Sequence, residues 1–170
     1  MNVLAKAGAQ WIAADGRWPE VPPDLRPLDA AAISVFHDED VWELWISPEL
    51  RRLTHEVLLG NIGEEFQLPA SVVDPYLSEL DRVVSASGGQ SIRPRFRVTH
   101  IVGDSEDDAN VASLASSILA DVVISWDGKV HGLGVRPLPV EGGATRDVRF
   151  VTCGDFVQHV YNLRNAEGGW

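Results

Sequence analysis

Apolar positions recur at helical spacing along much of this chain. Asn2 can cap a short helix through Trp11 and Ile12, ended by Asp15-Gly16. Ser47-Pro48-Glu49 supplies a cap, a first-turn proline and an acid at the positive end of the helix dipole. Leu50, Leu53, Val57 and Leu58 keep the period behind it. Asp74-Pro75 repeats the start signal ahead of Tyr76, Leu77, Leu80, Val83 and Val84, with a stop at Gly88-Gly89. A last helix is expected over Gly154 to Leu163, with Phe156, Val157, Val160 and Tyr161 on its apolar side.

Strand patterns fall between these helices. Ala31 to His37 and Val41 to Ile46 read as a hairpin turning through Asp38-Glu39-Asp40. In the second arm Trp42, Leu44 and Ile46 alternate with Val41, Glu43 and Trp45, so both faces are largely apolar and expect cover on both sides. Trp42 and Trp45 are therefore read as core, with an exposed aromatic patch for a partner as the alternative. Arg93 to Val102, a small-residue helix and Val122 to Trp126 make a βαβ-like unit over 93–126, which implies parallel strands. Asp127-Gly128 predicts a tight hairpin. Pro137, Pro139 and Gly142-Gly143 predict a loop, and Val148 to Thr152 a short strand. The expected fold is α/β or α+β: one domain over 1–170, with a mixed sheet of about five or six strands flanked by helices. Residues 16–29, carrying Pro19, Pro22, Pro23 and Pro27, form an extended arm, and 165–170 a loose tail.

Charge adds the first functional information. The 170 residues carry a net charge of −11, which argues against direct nucleic-acid binding through a basic face and suits a basic partner. Residues 1–85 hold fifteen acids against six basic residues, and 86–170 ten against eight, so the excess lies in the first half. No apolar run approaches the roughly 18 residues a bilayer span needs. Residues 1–15 do not read as a signal peptide, and a cytoplasmic address is expected. Cys153 is the one cysteine, so no internal disulfide forms, and the five histidines show no zinc-ligand spacing.

Three features bear on chemistry. Gly103-Asp104-Ser105-Glu106-Asp107-Asp108 places four carboxylates in five positions between a strand and a helix, a set that suits Mg²⁺ or Ca²⁺. Val102 to Asp108 resembles the metal-binding turn of haloacid-dehalogenase-like phosphohydrolases, which implies Asp104 and Asp108 as metal ligands. That family also uses an Asp-x-Asp pair followed two positions later by Thr or Val, and a lysine between the motifs. Here Asp38-Glu39-Asp40 precedes Trp42, and no lysine lies between Ala7 and Gly128. Helix capping accounts for the same acids without a metal. Next, Arg93, Arg95 and Arg97 alternate, so they share one face, either to grip a phosphate or acidic partner or to pair with helix acids. Lastly, Cys153 stands at a helix start, where a thiol pKa falls, with His100, His131 or His159 as possible bases.

No set completes an active site, and no cofactor is implied. The expectation is an acidic, non-enzymatic interaction protein of the bacterial inhibitor or immunity type, occluding a basic site on a partner protein. Asp38, Glu39, Asp40, Trp42, Trp45, Arg93, Arg95 and Arg97 are its candidate partner-binding residues. A metal-dependent phosphohydrolase built on Asp104 and Asp108, and an acidic nucleic-acid mimic, are the alternatives.

Overall fold

The computed structural model describes residues 3–19, 32–36, 41–98, 106–125 and 127–167. Helices α1 (Val3–Ala13), α2 (residues 32–36), α3 (Pro48–Leu59) and α4 (Ala70–Ala86) build one buried cluster. At the head of α3 the Ser47 hydroxyl accepts from the Leu50 N–H at 3.1 Å, and Gly60 closes the helix at φ 82°. α4 starts at Ala70, four residues before the expected Asp74-Pro75 signal. Val73, Tyr76, Leu77, Leu80 and Val84 form one buried stripe, and seating Val73 on it carries the helix back through Pro75.

Residues 32–36 are helical, where a strand over Ala31 to His37 was expected. Ala32, Ile33, Val35 and Phe36 are all buried, and a short apolar run covered on every side fits either element by pattern alone. The second expected arm, Val41 to Ile46, is not a strand either. It is held by one parallel bridge, Ile46 to Ser91, so no hairpin forms there. The turn 37–40 and the arm beyond Pro19 lie outside the described residues.

Tyr76 joins the helices. Its ring is fully buried against α1, and its hydroxyl donates to the Leu4 carbonyl at 2.6 Å. The approach requires Gly8: a Cβ there would lie within 2.7 Å of the Tyr76 Cδ1 and Cζ atoms. Trp11 packs tilted on Tyr76 at 5.9 Å and Trp18 edge-on at 6.3 Å. Trp18 also stacks on Phe36 at 4.9 Å and donates its indole N–H to Glu79 at 2.7 Å. The Arg82 guanidinium and that indole hold the Glu79 carboxyl below its ordinary pKa.

The second cluster contains α5 (Glu106–Ile118), β1 (Val122–Ile124), α6 (Gly128–His131), β2 (Val135–Pro139) and β3 (Thr145–Val151). Among the described residues the sheet has three strands in the order β1-β3-β2, fewer than the five or six expected. β1 runs parallel to β3 and β2 antiparallel to it. Val123, Leu138, Val148 and Phe150 are buried with Ala112 and Ala115 of α5 and Val130 of α6. Val122, Ile124 and Val151, on the other face, pack against the first cluster, as do Cys153 and Phe156 of α7 (Cys153–Glu167). The result is one compact domain of mixed helix and strand.

Several expectations fail for local reasons. Residues 93–98 do not pair with β1, whose parallel partner is β3. They lie along α5 instead, where the Ser117 and Ser113 hydroxyls accept from the Arg95 and Val98 N–H groups at 2.9 and 2.8 Å. Helix serines thus satisfy amides that a ladder would otherwise use. Asp127 caps α6 through Lys129 N–H at 2.8 Å rather than turning a hairpin. α7 continues through Glu167, so 165–167 are helical where a tail was expected.

The expected loop over Pro137 and Pro139 is strand β2, tolerated because it is an edge. Phe150 N–H donates to the Gly134 carbonyl and Val140 N–H to the Ala144 carbonyl. With the register Val135 to Arg149, residues 134, 136, 138 and 140 therefore face β3, and 135, 137 and 139 face outward. Prolines at two of those three outward positions remove N–H groups that another strand would need.

Two outcomes are expected. Gly8→Ala should cost about 1–3 kcal/mol in urea unfolding, because the new methyl enters the Tyr76 ring; an unchanged midpoint would refute this seat for Tyr76. Pro137→Thr with Pro139→Thr should restore an edge template and raise self-association in light scattering, while an unaltered monomer-to-oligomer ratio would count against the blocked edge.

Candidate partner surface

The segment 41–46 divides its side chains between core and solvent. Trp42 donates its indole N–H to the Val35 carbonyl at 3.1 Å and meets Phe156 edge-on at 4.9 Å. Leu44 packs on the same cluster and Ile46 is 1% exposed. Backbone bonds fix this inward set: Leu44 N–H to Ser87 Oγ at 2.9 Å, Ile46 N–H to the Gln90 carbonyl, and Ile92 N–H to the Ile46 carbonyl. Gly89 permits the approach, since a Cβ there would lie 2.6 Å from the Leu44 carbonyl carbon.

The odd-numbered residues remain at the surface. Val41 is 43% exposed, Glu43 is exposed, and Trp45 is half-buried and outside both core clusters. The Trp45 indole N–H donates to Glu43 Oε2 at 3.2 Å in a solvent-exposed bond. Trp42 is therefore a core side chain, whereas Trp45 belongs to an apolar–acidic–aromatic strip. Asp38, Glu39 and Asp40, next to the strip in sequence, lie outside the described residues.

The helices contribute less acid excess than their polar faces suggest. α3 balances Glu49 and Glu56 against Arg51 and Arg52. Glu49 pairs with Arg52 at 2.6 Å, Asp81 with Arg51 at 2.9 Å, Glu79 with Arg82 at 2.8 Å and Glu65 with Lys6 at 3.1 Å. By sequence, residues 20–40 hold six acids and one arginine, more than half of the first-half excess. In sequence, the charge thus concentrates just ahead of the strip.

Between α3 and α4 lies an open cleft of about 450 Å³, lined by Arg51, Arg52, His55, Asp74 and Ser78 among others. His55 Nε2 stands 3.3 Å from Asp74 Oδ1, in an alignment that does not make a hydrogen bond. Ser78 spends its hydroxyl on the Asp74 carbonyl at 3.2 Å. The cleft's cations face internal carboxylates, so it is already charge-balanced. Sequence reading missed this grouping, because His55 and Asp74 sit on separate helices with no shared motif. Only the proximity of two amphipathic helices could have hinted at it.

The remaining candidates are dispersed. Arg93, Arg95 and Arg97 are exposed on alternate positions, with Pro94 and Phe96 between them half-buried. Arg95 meets Glu141 at 2.9 Å and Arg97 meets Glu106 at 3.6 Å. Asp108 is in the first turn of α5 with Glu106 and Asp107, while Asp104 and His100 lie outside the described residues. Among the described residues, no three His, Cys, Asp or Glu side chains converge as metal ligands. Nor is any described helix long and apolar enough to cross a membrane.

Cys153 is fully buried, and that burial pushes its thiol up to about 12, against the lowered value expected at a helix start. Compared with known proteins, the chain matches no family model, no curated protein and no solved structure.

The Cys153 thiol should react with a disulfide reagent at pH 8 about three orders of magnitude more slowly in the native protein than in urea. Rapid, stoichiometric modification of the native chain would restore it as a nucleophile.

Proposed function

We propose that this chain is an acidic, non-enzymatic, cytoplasmic interaction protein of the bacterial inhibitor or immunity type, occluding a basic site on a partner protein. What supports the reading is the strip Val41, Glu43 and Trp45, directly preceded in sequence by Asp38-Glu39-Asp40. The acids steer a basic partner by their field, which acts mainly on the association rate. Trp45 supplies the anchor: a large, rigid side chain already part-desolvated, of the type that dominates interface energies. Its bond to Glu43 orients the indole at the cost of little further ordering. Trp42, by contrast, serves the fold.

The test is capture of cell proteins on the immobilised full chain at low and moderate salt, followed by titration of the captured species. A basic protein should bind stoichiometrically and be released as salt rises. Trp45→Ala should then weaken its affinity by about 2 kcal/mol, roughly thirtyfold, and Glu43→Lys should slow association. A captured protein that binds Trp45→Ala and Glu43→Lys as tightly as the parent would overturn the reading, as would an empty column at both salts.

A further inference from the structure

α1, α3 and α5 end in the same way. Gly16 N–H donates to the Trp11 carbonyl at 3.0 Å, Asn61 N–H to Glu56 at 2.9 Å and Ala120 N–H to Ala115 at 2.9 Å. This closure forces the preceding residue into the left-handed region: Asp15 at φ 53°, Gly60 at φ 82° and Leu119 at φ 58°. Glycine adopts that conformation freely and aspartate tolerates it, but leucine does so under strain. Nor does Leu119 repay the strain by burial, for it is 47% exposed and belongs to neither core cluster. Neither the turn nor the core calls for a leucine here.

Its surroundings do. Leu119 lines a depression of about 200 Å³ with Phe96 and Val140, rimmed by Arg95 and Glu141. Two serines in the wall are spent internally: Ser116 donates to the Pro139 carbonyl and Ser117 to Ser113. The floor is therefore mainly apolar, with both serine hydroxyls already bonded. Beside it run Arg93, Arg95 and Arg97. The acids that meet Arg95 and Arg97, Glu141 and Glu106, are 78% and 75% exposed in their side chains, so these ion pairs sit in water and exchange readily for other carboxylates.

We propose that this depression and the arginines beside it form a second docking surface, for an extended acidic segment of a partner protein. Its carboxylates meet the exposed arginines, and one aliphatic or aromatic side chain enters the depression against Leu119. Nucleic acid fits less well, since the molecule carries −11 overall and Glu106 and Glu141 flank the arginines.

The experiment is selection of short random peptides displayed on phage against the full chain, with the enriched peptides then synthesised, labelled and titrated by fluorescence anisotropy. Enriched peptides should carry acids flanking an apolar residue and lose affinity with salt. Leu119→Gly should weaken them by about tenfold or more while raising the urea midpoint, because it relieves strain as it removes the anchor. Leu119→Ala should weaken them without that gain in stability, and Arg95→Ala should weaken them too. Absence of enrichment, peptides with no acid excess, undiminished binding to Leu119→Gly, or displacement by a single-stranded oligonucleotide at lower concentration would each overturn the proposal.

Discussion

The helical half of the molecule depends on one contact, the Tyr76 ring laid against the bare backbone of Gly8. A ring of that size buried from all sides supplies much of the apolar area joining α1 to α4. Its polar end would be costly to bury unpaired, and the Leu4 carbonyl removes that cost. Burial also raises the phenol's pKa, so the hydroxyl keeps its proton and acts as a donor. Trp11, Trp18 and Phe36 then pack around a fixed object. The Trp18 indole and Glu79 tie the segment after α1 to α4, two turns of chain that share no sequence neighbourhood.

β3 couples this helical half to the other. Its inward residues Val148 and Phe150 meet α5 and α6, while Val151 and, just beyond, Cys153 and Phe156 belong to the first cluster. Phe156 in turn meets Trp42, whose indole is bonded to α2. A strand and the helix that follows it therefore close both cores. The buried, high-pKa thiol of Cys153 is one consequence: its place in the chain is a helix start, but its surroundings are apolar, and desolvation outweighs the dipole.

What was legible in the sequence follows the same division between local and distant causes. Ser47-Pro48-Glu49 and Asp15-Gly16 mark their helix ends correctly, because capping is decided within four residues. The alternation at 41–46 and 93–97 was readable as well, although neither stretch makes a strand. There the pattern reports one face turned inward and one left at the surface, and the partner that decides the secondary structure lies elsewhere in the chain. The serines of α5 that receive 93–98 gave no signal as ladder substitutes. β2 was hidden for the opposite reason: its prolines look like breakers, and only the register shows that they occupy the outward positions of an edge. His55 and Asp74 come together solely through helix packing.

The closed edge also constrains how this molecule can recognise anything. With prolines at two of the three outward positions of β2, that edge cannot lend a continuous backbone ladder to a partner. Recognition there has to pass through side chains, whose energies come from a few anchors rather than from a row of amides. The exposed ion pairs of Arg95 and Arg97 would contribute steering and register more than affinity, since water screens them. Apolar anchors must then supply most of the binding energy. Three of the four tryptophans with described surroundings are already committed to the first cluster, and Trp45 remains at its surface. Beside α5 the counterpart we propose is Leu119, exposed where the backbone would prefer glycine. A fold that keeps a strained leucine in solvent gives up stability at that position, and strain of this kind clusters at sites that bind ligands or partners.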